Sequence, residues 1–309
     1  MIVLERPNGL QLFFTLKGSV LPRIVPSIAI CTAMAVLVTL SHGSLFKWKV
    51  MLTPVPFSLI GLALAIFLGF RNGAAYERFW EARKLWGDVV HRSRTLARQV
   101  ATLLDMAPEA VAVDARTRMI RRAIAFAHAL RHQLRRSDPS NEMAKWLDPS
   151  EAAEFESSRL GTDYLLRRQS ADIGRWLRTG SLTAPIAAEM DKSLAILAAA
   201  QAGCERIQTT PIPFAYTLLL HRTAFLYCFL LPFGLVDTIG FMTPFVVAIV
   251  AYTFFGLDAL GDEIEHPFGM HTHHLPLDAI CRTIEINLLE TSGEQSLPDA
   301  LEPVDDRLS

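Results

Sequence analysis

Ionisable side chains stand at three places where the surrounding sequence is apolar. His221 and Arg222 lie inside one hydrophobic run and Asp258 inside another. A charge at such depth needs a partner, because an isolated ion is costly in a low-dielectric medium. An Arg222–Asp258 ion pair is the expected arrangement, with direct contact to a passing ion as the alternative. Just beyond Asp258 come Asp262, Glu263, Glu265, His266, His271, His273 and His274. Imidazoles and carboxylates at this density are ligands for a borderline metal such as zinc, which makes the four histidines a candidate metal site. The alternatives are an incidental run of histidines and a group that protonates at about pH 6. No catalytic constellation accompanies them. P-loop, GxSxG, HExxH and GxGxxG patterns are all absent, so no enzyme is expected.

The elements that must position these groups are membrane helices. About 20 apolar residues span roughly 30 Å of hydrocarbon as a helix. Four runs qualify, at about 24–40, 55–70, 212–236 and 244–260. A lone span satisfies its backbone hydrogen bonds only as a helix. One such run could be the buried helix of a soluble protein; four, two of them in close tandem, argue against that. Half the residues (51%) are hydrophobic, yet mean hydropathy is only +0.27. That combination calls for a sizeable aqueous part beside the membrane part. The net charge of −1 gives no basic field for nucleic acid. Cys31, Cys204, Cys228 and Cys281 show no CxxC spacing and read as small buried hydrophobes. The opening MIVLERPNGLQLFFTLKGSVLPR lacks the pattern of a cleaved signal, so the spans themselves must direct insertion.

Lysine and arginine give the orientation. Arg71, Arg78, Arg83, Lys84, Arg92, Arg94 and Arg98 follow the second span, and Arg6, Lys17 and Arg23 precede the first. The link between the last two spans has no basic residue, and the link after the first has only Lys47 and Lys49. Both termini and the central segment are therefore expected in the cytoplasm. The expected organisation is 1–70 with two spans, 71–211 helical and aqueous, 212–264 with two spans, and 265–309 a cytoplasmic tail.

Between Gly73 and Pro108 only Gly87 interrupts a helical pattern, so the second span should continue as one long helix. Met119, Ile120, Ile124, Ala127, Leu130 and Leu134 recur at helical spacing. Arg121, Arg122, Arg131, Arg135 and Arg136 are expected on the opposite, solvated or salt-bridged face. Asp148-Pro149 and Thr183 before Pro185 mark helix starts. No strand or hairpin signal is visible, and the acidic tail beyond Leu289 is expected to be loosely ordered. The fold class is thus all-α, a multi-pass membrane protein.

Three segments together resemble the bestrophin family, its bacterial branch above all: PFSLIGLALAIFLGFRNGAAYERFWEARKLWG at 56–87, PIPFAYTLLLHR at 211–222, and GDEIEHPFG at 261–269. The resemblance covers nearly the whole chain. It implies a homopentameric ion channel in the inner membrane of a bacterium, with lipids around it and monovalent ions on its axis. It further implies a pore neck at Leu62, Ile66 and Phe70 and a cytoplasmic aperture at Ile186. Positions i, i+4 and i+8 do share one helix face. Gly61, Ala63, Ala65 and Gly69 keep the flanking surface small, and an apolar ring can gate by dewetting. In animal bestrophins an acidic run forms a calcium clasp; here His271, His273 and His274 stand in its place, so calcium is not expected as a cofactor.

Animal bestrophins are chloride channels with phenylalanine-rich necks, whereas the bacterial branch includes cation-permeable members. Leu62 and Ile66 offer no ring edge to an anion. Sodium-like cations are therefore favoured over chloride, with helix N-termini near Pro54 and Pro211 arguing the other way. A membrane-anchored interaction or sensor protein is the alternative function.

Overall fold

The structure, a computed structural model, describes residues 1–3, 8, 14–45, 48–49, 53–105 and 109–309. Arg6, Lys47 and Pro108 lie outside the described residues. The chain forms two compact units. One comprises Leu4–Phe79 and Pro211–Pro267, the other Met1–Val3, Trp80–Thr210 and Phe268–Ser309.

The first unit is built from α1 (Leu21–Leu40), the first part of α2 (Pro54–Leu103), α8 (Phe214–Ile239) and α9 (Thr243–Glu265). The second span does continue as a single helix of 50 residues. Pro22 and Pro244 sit in the first turns of α1 and α9, where a missing N–H costs nothing. α8 ends at Gly240, whose φ of +51 suits a residue without Cβ. A 3-10 turn, Gly240–Met242, leads into α9. Among the described residues three stretches are long and apolar enough to cross a membrane: Leu21–Leu40, Pro54–Leu103 and Phe214–Glu265. The last contains both α8 and α9. A buried core joins the four helices through Cys31, Leu64, Leu68, Cys228, Val247 and Phe255. Phe57 packs so closely on Gly234 that a Cβ there would lie 2.6 Å from its ring. The outer faces carry Ile30, Leu37, Leu219, Leu226, Phe245 and Ile249, all exposed. Apolar surface of that extent belongs in lipid or against another chain.

The one departure from helix among the described elements is an antiparallel ladder, Ser44–Leu45 with Trp48–Lys49. Two residues per strand are too few to display a period of two, so the ladder leaves no signal in the sequence.

The second unit centres on α3 (Glu109–Arg135). Around it lie α4 (Ser140–Trp146), α5 (Pro149–Ser157), α6 (Gly161–Arg178), α7 (Ala184–Thr209) and α10 (Leu277–Ser292). Helices α5 and α7 begin after Asp148 and Thr183, as the cap signals imply. α3 is enclosed by its neighbours, so its arginine face is salt-bridged at Arg122, Arg131 and Arg135, while Arg121 and Arg136 are exposed. Arg122 and Arg131 are buried. The Arg122 guanidinium is held by Glu151 of α5 and Asp172 of α6. Arg131 meets Glu142 at 2.6 Å and Asp278 at 3.0 Å, and Arg135 meets Asp278 at 2.7 Å. His128 Nδ1 lies 2.6 Å from Glu142, and its Nε2 lies 3.6 Å from Glu285. Burial alone would lower the His128 pKa, but the two carboxylates outweigh it and hold it above the ordinary value.

The tail is not loose. Leu308 N–H donates to Met1 O at 2.8 Å, Val3 N–H to Asp306 O at 2.9 Å, and Ala279 N–H to Ser309 O at 2.9 Å. Composition signalled disorder, but backbone pairing with the first residues supplies bonds that composition does not encode. All four cysteines are buried and free.

Candidate functional site

Phe57, Leu64, Leu68, Arg71 and Ala75 are buried, and their spacing of three, four and seven marks the packed face of α2. Leu62, Ile66 and Phe70 project from the other side and are 61%, 49% and 72% exposed. They are therefore not core side chains of this chain. Ala63, Ala65 and Gly69 beside them are also exposed, and nothing lies within 4 Å of a Cβ placed on Gly69. Gly61 differs. Tyr227 of α8 packs against it, 2.7 Å from where a Cβ would be. The result is an apolar file whose backing is rigid and whose front no residue of the unit covers.

A buried ion cluster adjoins the end of this file. Asp258, Asp262 and Glu265 are spaced by four and three residues and so share one face of α9. Arg71 inserts among them. Its Nη1 donates to Asp258 Oδ1 at 2.8 Å and to the Asp258 carbonyl at 3.2 Å. Its Nη2 bonds Asp262, and Glu265 lies 3.7 Å away. The other Asp258 oxygen is 2.9 Å from His221 Nδ1 of α8, and the other Asp262 oxygen accepts from Arg23 of α1 at 2.9 Å. Glu265 accepts the Ile212 N–H at 3.0 Å, and its carbonyl accepts Arg78 Nε at 3.3 Å. Asn72 donates to Leu257 O at 3.0 Å. The buried charges are thus paired, which is the condition for burying them, although Arg71 Nε and Asn72 Oδ1 are buried without a hydrogen-bond partner.

This geometry corrects the expected Arg222–Asp258 pair. Consecutive helical residues diverge by about 100°; His221 faces Asp258 and Arg222 faces outward. Arg222 is exposed and has no ion-pair partner among the described residues. The cation that meets Asp258 is Arg71, which the sequence marks only as a topogenic charge. Three carboxylates on one face of an apolar helix were the available signal that a cation had to meet them. Near the start of α8 the Glu265 carboxylate takes the N–H of Ile212, two residues before the helix begins at Phe214.

Ile186 is half-buried in the first turn of α7, in a cavity it lines with Arg98, Thr102, Leu103 and Glu189. The proposed zinc site does not assemble. Among the described residues no three of histidine, cysteine, aspartate and glutamate converge to hold a metal. His266 belongs to one unit, and His271, His273 and His274 to the other. His274 is buried with its Nδ1 accepting the His271 N–H at 3.2 Å, and the two rings meet edge-on at 5.1 Å. That imidazole closes a turn instead of offering its lone pair outward.

Comparison with known proteins agrees with this architecture. Residues 1–290 match the family model for bacterial and fungal bestrophin proteins. A voltage-dependent anion channel-forming protein of Mesorhizobium japonicum is 45% identical over 95% of this chain and 93% of its own length. The protein of that description from Escherichia coli, YneE, is 40% identical over 98% of each chain. A crystal structure of a bacterial bestrophin homologue from Klebsiella pneumoniae superposes with a TM-score of 0.84 at 42% identity. It covers 88% of this chain and 100% of that one.

Proposed function

Starting from a chain that belongs to the bacterial and fungal bestrophin family, and so to channels and not to enzymes, we propose a homopentameric channel for monovalent ions in the bacterial inner membrane. In this reading α1, the first part of α2, α8 and α9 are four spans, while the helices around α3 and both termini are cytoplasmic. The α2 segments of five subunits surround the axis, Leu62, Ile66 and Phe70 form the neck, and Ile186 borders a second constriction. The observation that carries it is the exposed apolar file on a helix whose opposite face is fully packed. A ring of such residues is a barrier that opens by wetting. Lipids cover the remaining apolar exterior.

Cation preference over chloride rests on the neck, where Leu62 and Ile66 lack ring edges, and on likeness to the bacterial branch. The carboxylates of Asp258 and Asp262 add no support, being paired with Arg71 and Arg23. The relatives' description as anion channel-forming proteins favours the opposite preference. Purified protein in lipid bilayers is expected to give discrete currents and a native mass of five subunits. In a sodium chloride gradient they should reverse near the sodium potential. Reversal near the chloride potential would overturn the cation preference and keep the channel; absence of currents would favour the membrane-anchored sensor.

Calcium is proposed to be unnecessary. It takes about six to eight oxygen ligands, whereas Asp262 and Glu265 already serve Arg71. Currents should persist in excess chelator. Loss on chelation with recovery in micromolar calcium would contradict this.

A further inference from the structure

Phe70 and Arg71 are consecutive, yet one is 72% exposed and the other 4%. Within one chain nothing on the Phe70 side of α2 fixes where that ring points, because Phe70 itself lies open and Gly69 beside it meets no neighbour within 4 Å. The restraint has to come from the opposite face. There the apolar contacts of Leu64 and Leu68 are non-directional, whereas a guanidinium gripped by two carboxylates and a carbonyl fixes angle as well as distance. Approach is also close at this level: a Cβ on Gly261 of α9 would lie 2.3 Å from Asn72 Oδ1. On a helix about 10–12 Å across with its side chains, a turn of about 20° moves a side-chain tip by about 2 Å.

We propose that Arg71 is the positioning residue of the neck. Its bonds to Asp258 and Asp262 set the rotation and height of α2 against α9, and so the direction in which Phe70 points. His221 holds the far oxygen of Asp258 and keeps that carboxylate turned toward Arg71. The proposal rests on the reading of Leu62, Ile66 and Phe70 as the neck and names what holds its last member.

The test is a double-mutant cycle on the full-length protein in bilayers, with conductance and open probability read from single channels. Arg71→Gln is expected to change one of them roughly tenfold, and Arg71→Lys, which keeps the charge but not the fork, to recover part of the change. In a Phe70→Ala background the Arg71→Gln change should vanish, because there is no ring left to position. A merely structural role for Arg71 would leave its effect the same in both backgrounds, and that outcome overturns the proposal. So does an Arg71→Gln channel that assembles and conducts like wild type. If Arg71→Gln fails to assemble, Asp262→Asn replaces it in the cycle, because it keeps shape and loses one charge; the same dependence on Phe70 is required. An Arg71→Gln effect in channels that ignore Phe70→Ala also overturns the proposal, while the neck itself is judged separately by alanine at all three positions.

Discussion

Alanine at Leu62, Ile66 and Phe70 together is expected to raise single-channel conductance or open probability, by a factor of ten for about each 1.4 kcal/mol removed from the permeation barrier. The three side chains stand clear of the core of their own unit, so their truncation opens no cavity within it. Assembly should survive for that reason, which makes the variant informative. The barrier falls because the file loses its width and its apolar area at once, and water then fills the gap at lower cost. Recording from the reconstituted triple variant beside wild type decides the matter. If the variant assembles and its currents match wild type, these residues are not the neck.

The second large effect concerns the other unit. Arg122, Glu151 and Asp172 are each less than 10% exposed and lie on three different helices. Arg122→Ala leaves Glu151 only Arg168, at 4.0 Å, and Asp172 only the exposed Arg175, which costs up to about 3–5 kcal/mol. In a unit of this size that lowers Tm by roughly 6–20 °C. Replacing all three with apolar side chains of similar volume is expected to restore most of the loss, because no uncompensated charge remains. Thermal melts of the detergent-solubilised protein, followed by circular dichroism, test both statements. An Arg122→Ala protein that melts within a degree of wild type would mean that the triad does not form.

The helices were legible because apolar runs of sufficient length have few alternatives. α1, α8 and α9 begin within three residues of the expected starts. The α2 continuation past Phe70 was legible because no breaker interrupts it. Leu62, Ile66 and Phe70 came from family likeness, and the helical period explains why they share a face. What escaped was relational. Whether Asp258 meets Arg222 or Arg71 depends on the rotation of one helix against another, and neither sequence alone states it. Whether Arg122 and Arg131 are solvated or salt-bridged stayed open, because helical periodicity identifies one apolar stripe and says nothing about helices packed against the other side. Density along the chain left ligation and an incidental histidine run both open, and it could not show that His274 accepts the His271 backbone N–H.

The unit around α3 is not contiguous in the chain, and that has a consequence for the order in which it is made. α3 ends at Arg135, yet α10, which covers it through Asp278, Cys281 and Glu285, begins only at Leu277. At about 5–20 residues per second the ribosome needs on the order of ten seconds to cover that interval. During that time it also delivers α8 and α9. The flank of α3 that α10 will cover must wait in water or against a chaperone, with Glu142 of the next helix the early partner of Arg131 and His128. The partners of Arg122, by contrast, come from residues 151 and 172, which emerge almost at once. Biosynthesis thus closes one side of α3 early with the Arg122 triad and the other only when the last helix leaves the ribosome.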